Sequence, residues 1–166
     1  MVATLRDGSS VRLRPVARDD EPGLRALLDR LSPESRRLRF FAADPDLDRK
    51  AGWAASRGAG RGFGLVATAG RIVGHAAWVR DGRDCAEIAF EVEDALQGRG
   101  LGTLLLAQLI EAARSAGLRR LTALVHPDNA RMAALLRHCP LTAGEARGPG
   151  ELRFTLELPT DTRRLP

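Results

Sequence analysis

The chain has no tyrosine, two cysteines, two methionines, and aromatic residues at only 4% of its 166 positions. A surface that stacks nucleic-acid bases needs aromatics interleaved with a basic stripe. Here the basic residues are scattered, so the sequence argues against nucleic acid as a partner. Cys85 and Cys139 stand far apart, and neither has a histidine at metal-ligand spacing. Both read as reduced thiols in or near the core, and no metal is expected. Long hydrophobic runs are also missing. The longest, LGTLLLAQLI, falls short of the roughly 18 to 20 apolar residues a membrane span needs, and it contains Gln108. The N-terminus, MVATLRDGSSVRLRP, lacks a basic head followed by an apolar stretch. No secretory signal is read there, so a cytoplasmic location is expected. Lysine occurs once, at Lys50, so arginine carries nearly all the positive charge behind the formal +5. Guanidinium groups bind phosphates and carboxylates in planar, bidentate fashion. That chemistry suits an anionic ligand or an acidic partner.

What remains is an ordinary globular composition, 44% hydrophobic, long enough for one domain with one core. SVRLRPV alternates and predicts a first strand. DDEPGLRALLDRL predicts a helix with Asp19 as N-cap and Leu24, Leu27, Leu28 and Leu31 on one face. SPESRRLRFF predicts a second helix, capped by Ser32 with Pro33 at its first position. DPDLDRKAGWAASR predicts a further short one, and RGAGRG at 57–62 reads as a linker. FGLVATA, RIVGHAAWVR and CAEIAFEVE form a three-stranded meander, with tight turns at Ala69-Gly70 and at DGRD. A helix runs from about Leu101 to Ala116, with Leu101, Leu104, Leu105, Leu109, Ala112 and Ala113 at helical spacing and Gly117 as its stop. LRRLTALVH is a strand, PDNARMAALLRH a helix opened by Asp128 or Asn129, and GELRFTLELP a last strand. The fold class is therefore α/β (α+β), a mixed, largely antiparallel sheet flanked by helices in a single domain. The strand starting at Cys85 and the strand ending at His126 flank a helical crossover, so they should be parallel neighbours.

Glycines crowd the start of the central helix, in Gln97-Gly98-Arg99-Gly100-Leu101-Gly102-Thr103. A helix start carries about four N–H groups without internal partners and the positive end of the helix dipole. Glycines remove Cβ atoms that would hold a phosphate away, and they permit backbone angles that aim successive N–H groups at it. The stretch suits a pyrophosphate. A P-loop is excluded because no lysine is present in it. A dinucleotide fingerprint would need glycine where Thr103 stands, and three antiparallel strands precede the loop. A tight strand-to-helix connection without ligand is the plain alternative.

The run Q-G-R-G-L-G resembles the Q/R-x-x-G-x-G/A signature of the GNAT superfamily of acyl-CoA-dependent N-acyltransferases. The likeness covers about residues 10–158, in the family's element order, so 1–166 reads as one such domain. VHPDNARMAALL and CAEIAFEVE carry it further. LRDGSSVRLRPV and LSPESRRLRFF are similar to bacterial protein-lysine acetyltransferase domains. The resemblance implies acetyl-CoA as co-substrate, with backbone N–H groups of Gly98, Arg99, Gly100, Gly102 and Thr103 on its pyrophosphate and Gln97 opening the loop. It further implies that backbone groups of Glu91, Val92 and Glu93 bond the thioester carbonyl and pantetheine, and that Asn129 contacts the cofactor from the other side. The acceptor it implies is a protein lysine, such as one on an acyl-CoA synthetase-like enzyme. Many relatives continue the last helix into Gly-Phe, whereas this chain reads Cys139-Pro140-Leu141.

Transfer to an amine needs the neutral nucleophile. A lysine ammonium of pKa about 10.4 is neutral in roughly one molecule in two thousand at pH 7, a deficit of roughly 4.6 kcal/mol. Alternation puts Glu87, Ala89, Glu91 and Glu93 on one strand face and Ala86, Ile88, Phe90 and Val92 on the other. Glu87 is the candidate general base, since desolvation among apolar neighbours would raise its pKa. Glu91 and Glu93 are expected to draw in a cationic substrate or face solvent. The absence of tyrosine removes the general acid many small-molecule relatives use, and His75, His126, His138 and Cys139 read as structural. The alternatives to a protein-lysine acetyltransferase are a small-molecule amine acetyltransferase and a non-catalytic acyl-CoA-binding regulatory module.

Overall fold

The computed structural model describes residues 1–56 and 62–159. The linker expected at 57–62 lies, apart from Gly62, outside the described residues. The meander forms as its alternation predicts: β3 (Gly62–Thr68), β4 (Ile72–Arg80) and β5 (Cys85–Val92) pair antiparallel. On one side β3 pairs with β2 (Ser10–Pro15), where Val11 and Leu13 are buried and Arg12 is exposed. On the other, β5 meets β6 (Arg120–Val125) in parallel, and β6 pairs antiparallel with β8 (Glu151–Glu157). Two edge strands escape the sequence reading. β1 (Val2–Thr4) pairs with β2, and β7 (Thr142–Gly148) pairs with β8. Almost every residue of β7 is exposed, so it carries no alternating pattern to detect. The sheet order is β1-β2-β3-β4-β5-β6-β8-β7.

Five helices cover the described sheet. α1 (Glu21–Arg30) buries Leu24, Leu27 and Leu28. Its start differs from expectation: a 3₁₀ turn at Arg18–Asp20 comes first, and Asp20 rather than Asp19 stands at the cap position. The Asp20 carboxylate accepts from Arg14 at 2.7 and 2.6 Å and from the Ala17 amide at 2.7 Å. α2 (Pro33–Phe40) begins as its sequence demands, with the Ser35 amide donating to Ser32 Oγ at 3.1 Å. α3 (Leu47–Ala55) is capped by Asp46 and α5 (Ala130–Arg137) by Asn129 rather than Asp128. α4 (Leu101–Ser115) buries Leu101, Leu105, Leu106, Leu109 and Ala113, while Leu104 and Ala112 are half-buried.

One large core holds the buried α4 residues and Leu104 against Leu121, Ala123, Phe154 and Leu156 of the sheet and Ala133 and Leu136 of α5. A smaller one packs α1 and α3 on the opposite face, against Val66 and Ile72. Leu105 is fully buried in the large core, so Leu105→Ala should cost about 2–5 kcal/mol in urea unfolding. A loss under 1 kcal/mol would contradict this packing. Among the described residues no helix is long and apolar enough to cross a membrane.

Candidate active site

β5 and β6 share only three pairs, Cys85↔Arg120, Ala86↔Leu121 and Glu87↔Thr122. Beyond Glu87 they part. β6 stays with β8 as far as Val125↔Leu152, while β5 stays with β4 as far as Gly74↔Val92. The result is a wedge in the sheet whose apex is Glu87. Which backbone groups line the wedge follows from one hydrogen bond. The Glu93 amide donates to the Val73 carbonyl at 2.9 Å, so residue 93 faces β4. Antiparallel alternation then turns Glu91 toward β4 as well and leaves the N–H and C=O of Phe90 and Val92 on the open edge. Of the expected trio Glu91, Val92 and Glu93, only Val92 presents its amide to the wedge. Phe90 joins it.

The glycine stretch lies where β5 ends. Gly98 and Gly100 have φ of 77° and 94°, in the left-handed region that favours glycine. Gly100 caps α4, and the first amide to close the helical ladder is Leu104, on the Gly100 carbonyl at 3.1 Å. The amides of Leu101, Gly102 and Thr103 precede that ladder and lie at the positive end of the helix dipole. Gly102 is the informative residue. Its φ is ordinary, and a Cβ there would meet only Leu135 Cδ2 at 3.4 Å, a normal contact. Neither conformation nor crowding demands glycine, which costs a helix about 1 kcal/mol against alanine. With no side chain there the first-turn amides stay open, so the cradle fits a pyrophosphate.

The neighbours of the cradle are braced from within. The Gln97 side chain donates to the Val92 carbonyl at 3.1 Å and to Asp94 Oδ1 at 2.8 Å, and it accepts from Arg131 of α5 at 2.6 Å. Its own amide donates to the Asp94 carbonyl at 3.2 Å. Gln97 therefore staples the end of β5 to the loop and to α5, and its polar groups are spent in doing so. Arg99 pairs with Asp7, and its carbonyl accepts the Arg6 amide at 3.0 Å, so the β1–β2 turn supports the loop from outside. Asn129 Oδ1 accepts the Met132 amide at 3.1 Å and caps α5 on the far side of the wedge.

The three glutamates of CAEIAFEVE separate by environment. Glu87 is exposed, so the burial expected around it is absent. Glu91 and Glu93 are buried, at 6% and 7% exposure, which overturns the expectation that they face solvent or draw in substrate. Glu93 is clamped by Arg30 at 3.0 Å and Arg71 at 2.6 Å. Burial pushes its carboxyl up, but those two arginines outweigh it and hold the carboxyl below its usual range. Glu91 receives Arg39 at 2.8 Å and lies 2.8 Å from His75 Nδ1. There too burial pushes up, and Arg39 and His75 prevail, lowering the carboxyl from its ordinary 4.5 to about 2. A group lowered in the fold favours folding above its unfolded value and loses that contribution as pH falls through the folded one. Glu91→Gln should therefore be less stable than wild type at pH 7, with the difference shrinking between about pH 4.5 and 2 in acid unfolding followed by circular dichroism. A gap that stays constant over that window would contradict the pairing.

Cys85 and Cys139 are free and half-buried. Among the described residues no cluster of His, Cys, Asp and Glu could hold a metal ion.

Amides that precede the α4 ladder thus stand at the positive end of a helix dipole, next to a wedge in the sheet with an open strand edge. The chain belongs to the acetyltransferase (GNAT) family, whose model matches residues 24–139. The GNAT domain of S. lividans PAT superposes with a TM-score of 0.86 at 30% identity, covering 95% of this chain and 96% of that one. Acetyltransferase PA5475 of Pseudomonas aeruginosa is 32% identical over 136 residues, 72% of this chain and 68% of its own. Acetyltransferase Pat of Mycolicibacterium smegmatis is 39% identical over 69 residues, 40% of this chain but only 21% of its own length.

Proposed function

We propose that this chain acetylates a protein lysine, with Glu87 as general base. The observation that carries the reading is the position of Glu87. It is the last paired residue before β5 and β6 part, and alternation turns its side chain away from the large core, toward the face carrying Glu91. The cradle and α5 approach the wedge from the other side, so an acceptor amine can enter over Glu87 without crossing the cofactor.

In this reading acetyl-CoA supplies an acetyl group activated as a thioester. The amides of Gly98 to Thr103 hold its pyrophosphate, and the Val92 and Phe90 edge holds the pantetheine and thioester carbonyl. An amide donor at that carbonyl favours the negative charge that develops on it during attack. Glu87 accepts a proton from the incoming ammonium, directly or through one water. A docked acceptor excludes solvent from the carboxylate and so supplies the desolvation that the free protein lacks. With no tyrosine in the chain, the departing thiolate takes its proton from solvent.

The likeness of LRDGSSVRLRPV and LSPESRRLRFF to bacterial protein-lysine acetyltransferase domains, beside the similarity to acetyltransferases named Pat, supports a protein acceptor over a small amine. Incubating the enzyme and acetyl-CoA with lysine-bearing proteins and, separately, with a panel of small amines tests this. Acetylated lysine by mass spectrometry is the expected result, and turnover of small amines alone would overturn it. The protein's own chain offers a built-in control. Intact-mass analysis should show acetylation at Lys50 and the N-terminus at most, since Lys50 is the only lysine. A third adduct would contradict amine chemistry.

A further inference from the structure

α2 buries none of its residues, yet it crosses the mouth of the wedge. At one rim the Ser32 amide donates to Asp94 at 2.7 Å, and the Ser35 hydroxyl reaches the same carboxylate. At the other rim Arg37 reaches His126 at 3.1 Å and Asp128 at 3.1 Å, just past β6. Phe41, at the helix C-cap, has φ of 56°, a left-handed angle that strains a residue other than glycine, and its ring centroid lies 5.6 Å from that of His126. These rim contacts involve exposed or half-exposed groups. One α2 contact is different. Arg39 reaches through to Glu91, whose side chain is only 5% exposed, and Glu91 in turn meets His75, 1% exposed, on β4.

We propose that Arg39, Glu91 and His75 are positioning residues: they fix α2 as the wall that presents the acceptor amine to the wedge. The proposal rests on the reading that transfer takes place there. A buried ion pair is weak evidence for stability, because apolar replacements of similar volume are often as good. What it does supply is a buried, directional tie, which joins Phe40 on the smaller core, the Ser32–Asp94 bond and the Arg36 bonds to the Leu28 and Asp29 carbonyls of α1 in placing the helix. The arrangement also leaves costs that folding alone does not explain. Arg39 Nε and His75 Nε2 are buried without a protein partner. A cavity of about 10 Å³, the size of one water, adjoins His75 and Glu91 beneath α1 and α3. Glu91 serves this role through its side chain, while its backbone pairs with His75 and leaves the neighbouring Phe90 and Val92 amides on the open edge. The Arg39, Glu91 and His75 side chains themselves touch no backbone group assigned to the cofactor.

The test compares wild type with Arg39→Met and Arg39→Lys. Three quantities are measured: amide hydrogen exchange, acetyl-CoA affinity by calorimetry, and kcat/KM toward the blocked peptide acetyl-Gly-Lys-Gly-amide. Arg39→Met should speed exchange of the 33–40 amides at least tenfold while α4 amides stay as protected as in wild type. Acetyl-CoA affinity should stay within about threefold, and kcat/KM should fall tenfold or more. Arg39→Lys, which keeps the charge, should recover most of both losses. Unchanged exchange in α2 overturns the proposal, as does a parallel loss of acetyl-CoA affinity or a failure of Arg39→Lys to recover. If instead wild type itself binds no acetyl-CoA, the transfer reading fails, while the exchange result still decides whether Arg39 holds α2.

Discussion

Glu87→Gln is expected to bind acetyl-CoA as tightly as wild type and to transfer acetyl about 10²–10³-fold more slowly at pH 7. Glutamine keeps the size and shape of the side chain but cannot take a proton. Affinity is spared because the groups assigned to the cofactor are backbone amides, and Glu87 makes none of those contacts. Its side chain is exposed, so the substitution leaves no buried group unpaired and the fold unaffected. The expected split, lost kcat with retained affinity, marks a group needed only for the chemical step. Steady-state rates beside calorimetry measure both halves. Equal turnover would remove Glu87 from the reaction, and a parallel loss of affinity would place it in cofactor binding instead.

Gly102→Asp should separate folding from binding in the opposite way. Glycine is a poor helix residue, and a negative charge in the first turn of α4 gains roughly 0.3–1 kcal/mol from the helix dipole. The Cβ meets only an ordinary contact with Leu135, so the variant should melt at or above the wild-type temperature. Yet its carboxylate would stand beside the amides that receive the pyrophosphate. Like charges about 4 Å apart repel by about 4 kcal/mol at an effective dielectric near 20. Acetyl-CoA affinity should drop at least a hundredfold, about 2.7 kcal/mol. A stable variant with normal affinity would mean that the glycine is there for some reason other than a ligand. A variant that fails to fold would contradict the packing around Leu135.

How far the residues alone reach can be judged from these two positions. The glycine stretch was legible because its chemistry is local: a strand, then glycines, then a helix, all adjacent in sequence. The meander, its two turns, the parallel β5–β6 contact and the Ser32-Pro33 start of α2 were legible for the same reason. Long-range partners were not. Nothing in CAEIAFEVE distinguishes the exposed Glu87 from the buried Glu91 and Glu93. The difference comes from Arg39, Arg30, Arg71 and His75, brought in from elements far apart in sequence. Arg39 itself is one of four arginines among residues 36–39 and 30, and periodicity alone cannot say which of them turns inward. Gln97 was read as opening the loop, but only the fold shows Val92, Asp94 and Arg131 consuming its polar groups. The edge strand β1 and the Arg6 support of the loop were hidden because a three-residue strand leaves no pattern.

The central claim is that free amides at the start of α4, together with the Phe90 and Val92 edge, hold acetyl-CoA in the wedge. Titrating the isotope-labelled protein with CoA and following each backbone amide by NMR tests it most directly. Saturable shifts at Gly98, Gly100, Gly102, Thr103, Phe90 and Val92, with Leu65 and Phe154 unmoved, are the result the account predicts. Shifts confined to other surfaces, or none at those six amides at millimolar CoA, would contradict it.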